Sequence, residues 1–114
     1  MTETLTDEDR KLVVLARGAL ARAETPTGAA VRDGDGRTYA GADVATRTLT
    51  LTGLQVAVAS AISSGARSFE AAVVVNGDPD DPGLDTLREL SPEAYAVLTD
   101  TAGHPRQRLG RADV

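Results

Sequence analysis

Thr52-Gly53-Leu54-Gln55-Val56-Ala57-Val58-Ala59-Ser60-Ala61-Ile62-Ser63-Ser64-Gly65, followed after three residues by Phe69-Glu70-Ala71-Ala72-Val73-Val74-Val75, decides the fold of this chain. Thr52 and Gln55 stand at the spacing of a capping box, the hydroxyl accepting from a first-turn amide while the side chain of Gln55 reaches back. A helix over 52–64 results, closed by Gly65. Leu54, Val56, Ala57, Val58, Ala61 and Ile62 leave that helix apolar on most sides, which predicts a buried central helix. Residues 69–75 form a β-branched run too short for a helix and too continuous for a half-exposed strand. They predict a central strand covered on both faces.

The rest of the chain supplies the layers that such a pair requires. Thr6 with Asp7, Glu8 and Asp9 reads as an N-cap with an acidic first turn, opening a helix over 7–22. Leu12, Leu15, Ala16, Ala19, Leu20 and Ala23 give it one apolar stripe, and Pro26 ends it. Two strands, 28–32 and 38–44, are joined by Asp33-Gly34-Asp35-Gly36, residues that tolerate the positive φ of tight turns. Residues 47–51 are expected to form a loop into the central helix. After the strand, residues 76–81 are turn-rich and Pro82 suits the first position of a helix running to Leu90. Strands are predicted over 94–99 and 104–109, separated by a reversal at Thr101-Ala102-Gly103. This order implies an α/β fold of three layers, α/β/α, around a five-stranded mixed sheet.

With 114 residues and no internal repeat or low-complexity segment, the chain reads as a single domain, 1–114. Aromatic residues make up 3%, so Val, Leu, Ile and Ala must build the core. A net charge of −5 disfavours sequence-independent contact with a phosphate backbone, which argues against nucleic acid as partner. Met1-Thr2-Glu3-Thr4 lacks the basic start of a secretory signal, and no apolar run approaches the ~20 residues of a membrane span. A cytoplasmic, non-membrane protein is expected. One lysine beside many arginines and alanines points to a GC-rich bacterial genome. The absence of cysteine excludes disulfides, thiolate metal ligands and a thiolate nucleophile.

The remaining candidates for chemistry read as structural. Asp78, Asp80, Asp81 and Asp85 form an acidic segment with oxygen donors for a hard cation, yet Asp81 sits where a helix cap belongs. Residues 33–36 lack the distal bidentate Glu of a calcium loop and read as a turn. His104, the sole histidine, cannot complete a tetrahedral zinc site. Ser60, Ser63 and Ser64 lie on the central helix without a glycine-flanked nucleophile turn. Arg106, Arg108 and Arg111 form a small basic tail.

Gly28-Ala29-Ala30-Val31, the segment from Ala57 to Gly65, Ala72-Val73-Val74-Val75, Pro79 and Leu87-Arg88-Glu89-Leu90 together resemble the free-nucleoside cytidine deaminases in order and spacing, over nearly the whole chain. The resemblance implies the cytidine deaminase-like fold. In active relatives a Cys-Ala-Glu-Arg-Thr-Ala stretch opens the central helix and Pro-Cys-Gly-Ala-Cys precedes the third helix. Their cysteines bind zinc, and the Glu shuttles protons while a zinc-bound hydroxide attacks the base. Here the first ligand position is Thr52 and the catalytic Glu position is Leu54. The remaining ligand positions are Asp80 and Gly83. The aromatic base-pocket stretch has no counterpart in the shortened run Ala23-Glu24-Thr25-Pro26-Thr27. The ribose-binding stretch is reduced to Asp43-Val44 ahead of an apparent deletion.

The expectation is therefore of the fold without the reaction: a pseudoenzyme with no cofactor, no metal and no catalytic residue, acting through a protein partner or by oligomerising. The helix over 52–64 is apolar on more sides than one sheet covers, and relatives of this fold associate around it. A dimer or tetramer is expected, with Leu54, Val58 and Ile62 near the contact. The alternative expectation is a nucleoside-binding or other small-molecule-binding protein, or a metal-independent enzyme.

Overall fold

The computed structural model describes residues 5–110, so the readings made on residues 1–4 and on Arg111 lie outside the described residues. Ten elements occur in order: α1 (Asp7–Ala23), β1 (Gly28–Asp33), β2 (Thr38–Ala42), β3 (Val44–Ala45), β4 (Thr50–Leu51), α2 (Gly53–Ser63), β5 (Phe69–Val75), α3 (Pro82–Leu90), β6 (Tyr95–Thr99) and β7 (Pro105–Leu109). Five strands form one sheet in the order β2-β1-β5-β6-β7. β1 runs antiparallel to β2 and β5, β5 parallel to β6, and β7 antiparallel to β6. The sheet is thus mixed, as expected.

Alternation along the strands builds two cores. Ala30, Ala71, Val73, Val75 and Val97 face Leu12 and Ala16 of α1. Ala29, Val31, Ala72, Val74, Ala96 and Leu98 face Leu54, Ala57, Val58 and Ala61 of α2 and Leu84 and Leu87 of α3. Helices on both faces explain why β5 is apolar at six of its seven positions, only Glu70 reaching solvent. Close packing of α2 against β2 rests on Gly41. A Cβ there would lie 2.7 Å from the Gly53 carbonyl oxygen and the Ala57 amide, a distance that only a missing side chain permits.

Three details depart from the expected pattern. The second strand stops at Ala42: the Asp43 amide makes one last cross-strand bond to the Thr27 carbonyl, and the Asp43 carboxylate turns to α2, where it accepts from the Gly53 amide. Residues 47–51 are not simply a loop: Thr50–Leu51 pairs antiparallel with Val44–Ala45, and the hairpin is closed by the Thr46 hydroxyl, which accepts from the amides of Thr48 and Leu49. Leu15 and Ala23 of the predicted stripe lie at the surface, whereas Val13 and Leu20 are half-buried against the sheet. The stripe therefore runs through Leu12, Ala16 and Ala19, on the face the helix turns to the sheet.

A charged cluster lies within the α1 layer. Arg32 of β1 donates to Asp9 of α1 at 3.1 Å, to the Tyr95 hydroxyl at 3.2 Å and to Glu70. The Tyr95 hydroxyl lies 2.8 Å from both carboxylate oxygens of Asp9. Burial opposes the charge on Arg32, but its bonds to Glu70, Tyr95 and Asp9 outweigh that and hold its pKa above the ordinary range. The side chains of Arg32 and Asp9 are 8% and 2% exposed, and Arg32 keeps Glu70 when Asp9 is removed, whereas removing Arg32 leaves the Asp9 carboxylate desolvated without its cation. Arg32→Met is expected to lower unfolding free energy by about 3 kcal/mol or more, read as a lower urea midpoint at unchanged slope.

Asp33 ties the β1–β2 turn together. Although burial opposes its ionisation, its carboxylate accepts from the Arg37 and Asp35 amides and the Tyr39 hydroxyl, and these bonds hold its pKa below the ordinary 3.8. A carboxyl lowered on folding contributes stability that is complete above its unfolded value and is lost as pH falls through the folded value. Urea midpoints measured from pH 7 to pH 2 should therefore fall more steeply below 3.8 in the wild type than in Asp33→Asn.

Candidate functional site

The N-termini of α2 and α3 converge at one edge of their layer, and their caps bond to each other. Thr52, the N-cap of α2, accepts from the Gln55 amide at 3.0 Å while Gln55 Oε1 accepts from the Thr52 amide, completing the predicted capping box. The Thr52 hydroxyl proton is donated to Asp81 Oδ1 at 2.8 Å. Asp81, the N-cap of α3, accepts from the Gly83 amide at 2.8 Å through the same oxygen. Asp43 Oδ1 accepts from the Gly53 amide at 2.8 Å. Two positive helix ends thus share one buried carboxylate, the charge that helix dipoles favour there.

Behind that bond the junction is filled. Leu54 is fully buried, and a Cβ on Gly83 would stand 2.7 Å from Leu54 Cγ and 3.0 Å from the Gln55 amide. Of the four predicted positions, the fold brings Thr52, Leu54 and Gly83 together and leaves out Asp80. Asp80 is exposed, its amide donating to Asp78 Oδ1 in a local turn. The residue facing Thr52 is Asp81. Its role as a helix cap was legible from Pro82 and Gly83, but its partner 29 residues away has no local signature.

These side chains do not fit a zinc ion. The threonine proton is committed to Asp81, leucine offers no donor, and glycine has no side chain. His104 lies elsewhere, exposed and paired with Asp100 at 3.3 Å. Among the described residues no three His, Cys, Asp or Glu side chains are grouped to hold a metal ion.

Above the Thr52–Asp81 bond opens a cleft of about 400 Å³. Val44, Ala45 and Leu51 from the β3–β4 ribbon, together with Pro82, form apolar walls, and Asp43, Asp78 and Asp80 carry the charge. Leu54 belongs to the core and does not line the cleft. The cleft offers shape, apolar contact and the carboxylates of Asp43, Asp78, Asp80 and Asp81.

The expected contact residues divide. Leu54 and Val58 are 0% and 2% exposed within a single chain, because α3 and the sheet cover that side of α2, so neither is free to meet a partner. Ile62 is 37% exposed. It lines a groove of about 220 Å³ between α2 and α3 with Leu51, Gln55, Val58, Ala59 and Thr86.

Leu54→Glu is expected to destabilise the fold by about 3 kcal/mol or more, since it sets a carboxylate in an apolar core without a counter-charge. Thr52→Val, which loses a cap and the inter-helix bond, should cost about 1–2 kcal/mol. Denaturant unfolding of both variants checks the ranking.

A profile for cytidine deaminase-like proteins matches residues 5–103. No match was found among curated protein sequences. The structure is similar to a cytidine deaminase from Burkholderia pseudomallei, at 25% identity and a TM-score of 0.78, covering 96% of this chain and 95% of that one. A cytidine deaminase from Mycobacterium tuberculosis aligns at 25% identity and a TM-score of 0.69, over 90% of this chain and 91% of that one. One from Mycobacterium leprae, at 20% identity and 0.69, covers 82% and 89% and supports the fold alone. With its mixed five-stranded sheet, three helices and a profile match over most of its length, the chain belongs to the cytidine deaminase-like family.

Proposed function

We propose that this chain is a non-catalytic member of its family, a pseudoenzyme of a bacterial cytoplasm that works by binding. The observation that carries this reading is the closed junction between α2 and α3. Thr52 bonds directly to Asp81, and Leu54 packs against Gly83, where the resembled enzymes place zinc ligands and a proton-carrying Glu. Hydrolytic deamination needs an activated water and a group that moves protons to the base. At the positions where the resembled enzymes place those groups, Thr52, Leu54 and Gly83 supply neither.

Self-association is the mode of binding we favour, as a dimer or tetramer through the α2–α3 face. Ile62 and the groove beside it place apolar surface on a helix whose other sides are already covered, and closed symmetric assembly is a common way to bury such a patch. A second reading, small-molecule binding, is favoured by one observation. The cleft above the junction persists at about 400 Å³, within the range of ligand sites.

Cytidine and deoxycytidine are expected not to be deaminated above background in an ultraviolet assay. Turnover that scales with protein and survives further purification would overturn the reading. Light scattering at high micromolar concentration should give a multiple of the chain mass, and Ile62→Asp should move it toward monomer with the circular dichroism unchanged. A wild-type monomer would refute self-association. Calorimetry with cytidine and uridine then tests the cleft.

A further inference from the structure

β7 contains an irregularity with a chemical consequence. Its pairing with β6 runs Ala96↔Leu109, Val97↔Arg108, Leu98↔Gln107 and then Thr99↔Pro105, so the register shifts and Arg106 is the extra residue. In a regular strand consecutive residues face opposite sides of the sheet, whereas a bulge re-aims one of them. Accordingly Arg106 and Gln107, neighbours in sequence, line the same cleft of about 470 Å³, with Asn76, Gly77, Leu98 and Thr99. The cleft lies past the carboxyl ends of β5 and β6, the one parallel pair in the sheet. In α/β sheets that is the favoured place for ligands.

The charges around it leave the guanidinium available. No side chain among the described residues pairs with Arg106. Arg108 instead stacks on the Tyr95 ring at 4.1 Å. Asp100 is engaged with His104. Asp78 and Asp80 line the neighbouring cleft, which this one meets at Asn76.

We propose that this second cleft is an anion subsite, taking a phosphate or carboxylate group of a small molecule on Arg106 with the Gln107 amide as a second donor. Arg106 and Gln107 are exposed at the cleft, and a planar guanidinium suits an oxyanion through paired N–H donors. Asn76, held by the Pro26 carbonyl and the Thr101 hydroxyl, lines both clefts. The subsite stands on its own geometry, whether or not the first cleft takes a nucleoside and whether or not the chain self-associates.

The test is amide chemical-shift titration of the full chain with inorganic phosphate and, separately, acetate, at constant ionic strength held by chloride. Saturable shifts at Gly77, Thr99 and Gln107 are expected with at least one of the two. Saturation by phosphate alone assigns the ligand as a phosphomonoester, and saturation by both admits a carboxylate. Arg106→Gln should weaken binding about tenfold or more, and Gln107→Glu, which adds a negative charge to the cleft, should weaken it independently. Arg67→Gln, outside the cleft, should leave it unchanged. The same spectra report whether each variant is folded. Shifts reproduced by chloride, shifts spread evenly over all arginines, or binding indifferent to both cleft variants would overturn the proposal. Cytidine failing to bind while phosphate still does would instead count against the first cleft alone.

Discussion

The hydrogen bond from Thr52 to Asp81 is the constraint on which the α2–α3 layer depends. Helix N-termini carry unsatisfied amides and a partial positive charge, and two of them facing each other would repel. A single carboxylate oxygen that accepts from Thr52 and from the Gly83 amide answers both ends at once. The joint is made from two caps that each helix needs in any case. Its short reach has a steric corollary. The helices approach until a Cβ on Gly83 would stand 2.7 Å from Leu54 Cγ.

The opposite layer is organised by another principle. Alanine at positions 16, 19, 30 and 71 brings α1 down onto the sheet, while Arg32 and Asp9 supply direction in place of bulk. Such a pair contributes little relative to well-packed apolar residues, yet it penalises every arrangement in which one charge is buried without the other. With few aromatic side chains to key the layers together, a directional contact between β1, α1 and β6 is one way for this sequence to favour one seating of α1.

Most of the fold was legible because its signals are local. The capping box at Thr52, the apolar run to Val75, Pro82 at a helix start and the Asp-Gly turn are each readable within a few residues, and each element formed as they indicate. What was not legible was long-range. Nothing near Asp43 indicates that its carboxylate will cap a helix ten residues on. Counting from Pro79 points to Asp80, although the turn at Asp78 carries that residue outward and brings Asp81 inward. Ile62 was distinguishable from Leu54 and Val58 only once α3 had been placed against α2, since apolar character alone does not say which face a neighbour covers. The bulge at Arg106 likewise depends on β6 and cannot be read from β7.

The placement of β7 bears on how copies of the chain can meet. A strand at the edge of a sheet offers a row of free backbone donors and acceptors that another chain can extend. β7 is poorly suited to serve as such a template. It begins with Pro105, which has no N–H, and its ladder is broken one residue later. It also carries two arginines, which would oppose their counterparts in a symmetric strand-to-strand junction. Growth of the sheet by addition of further strands at this end is therefore discouraged.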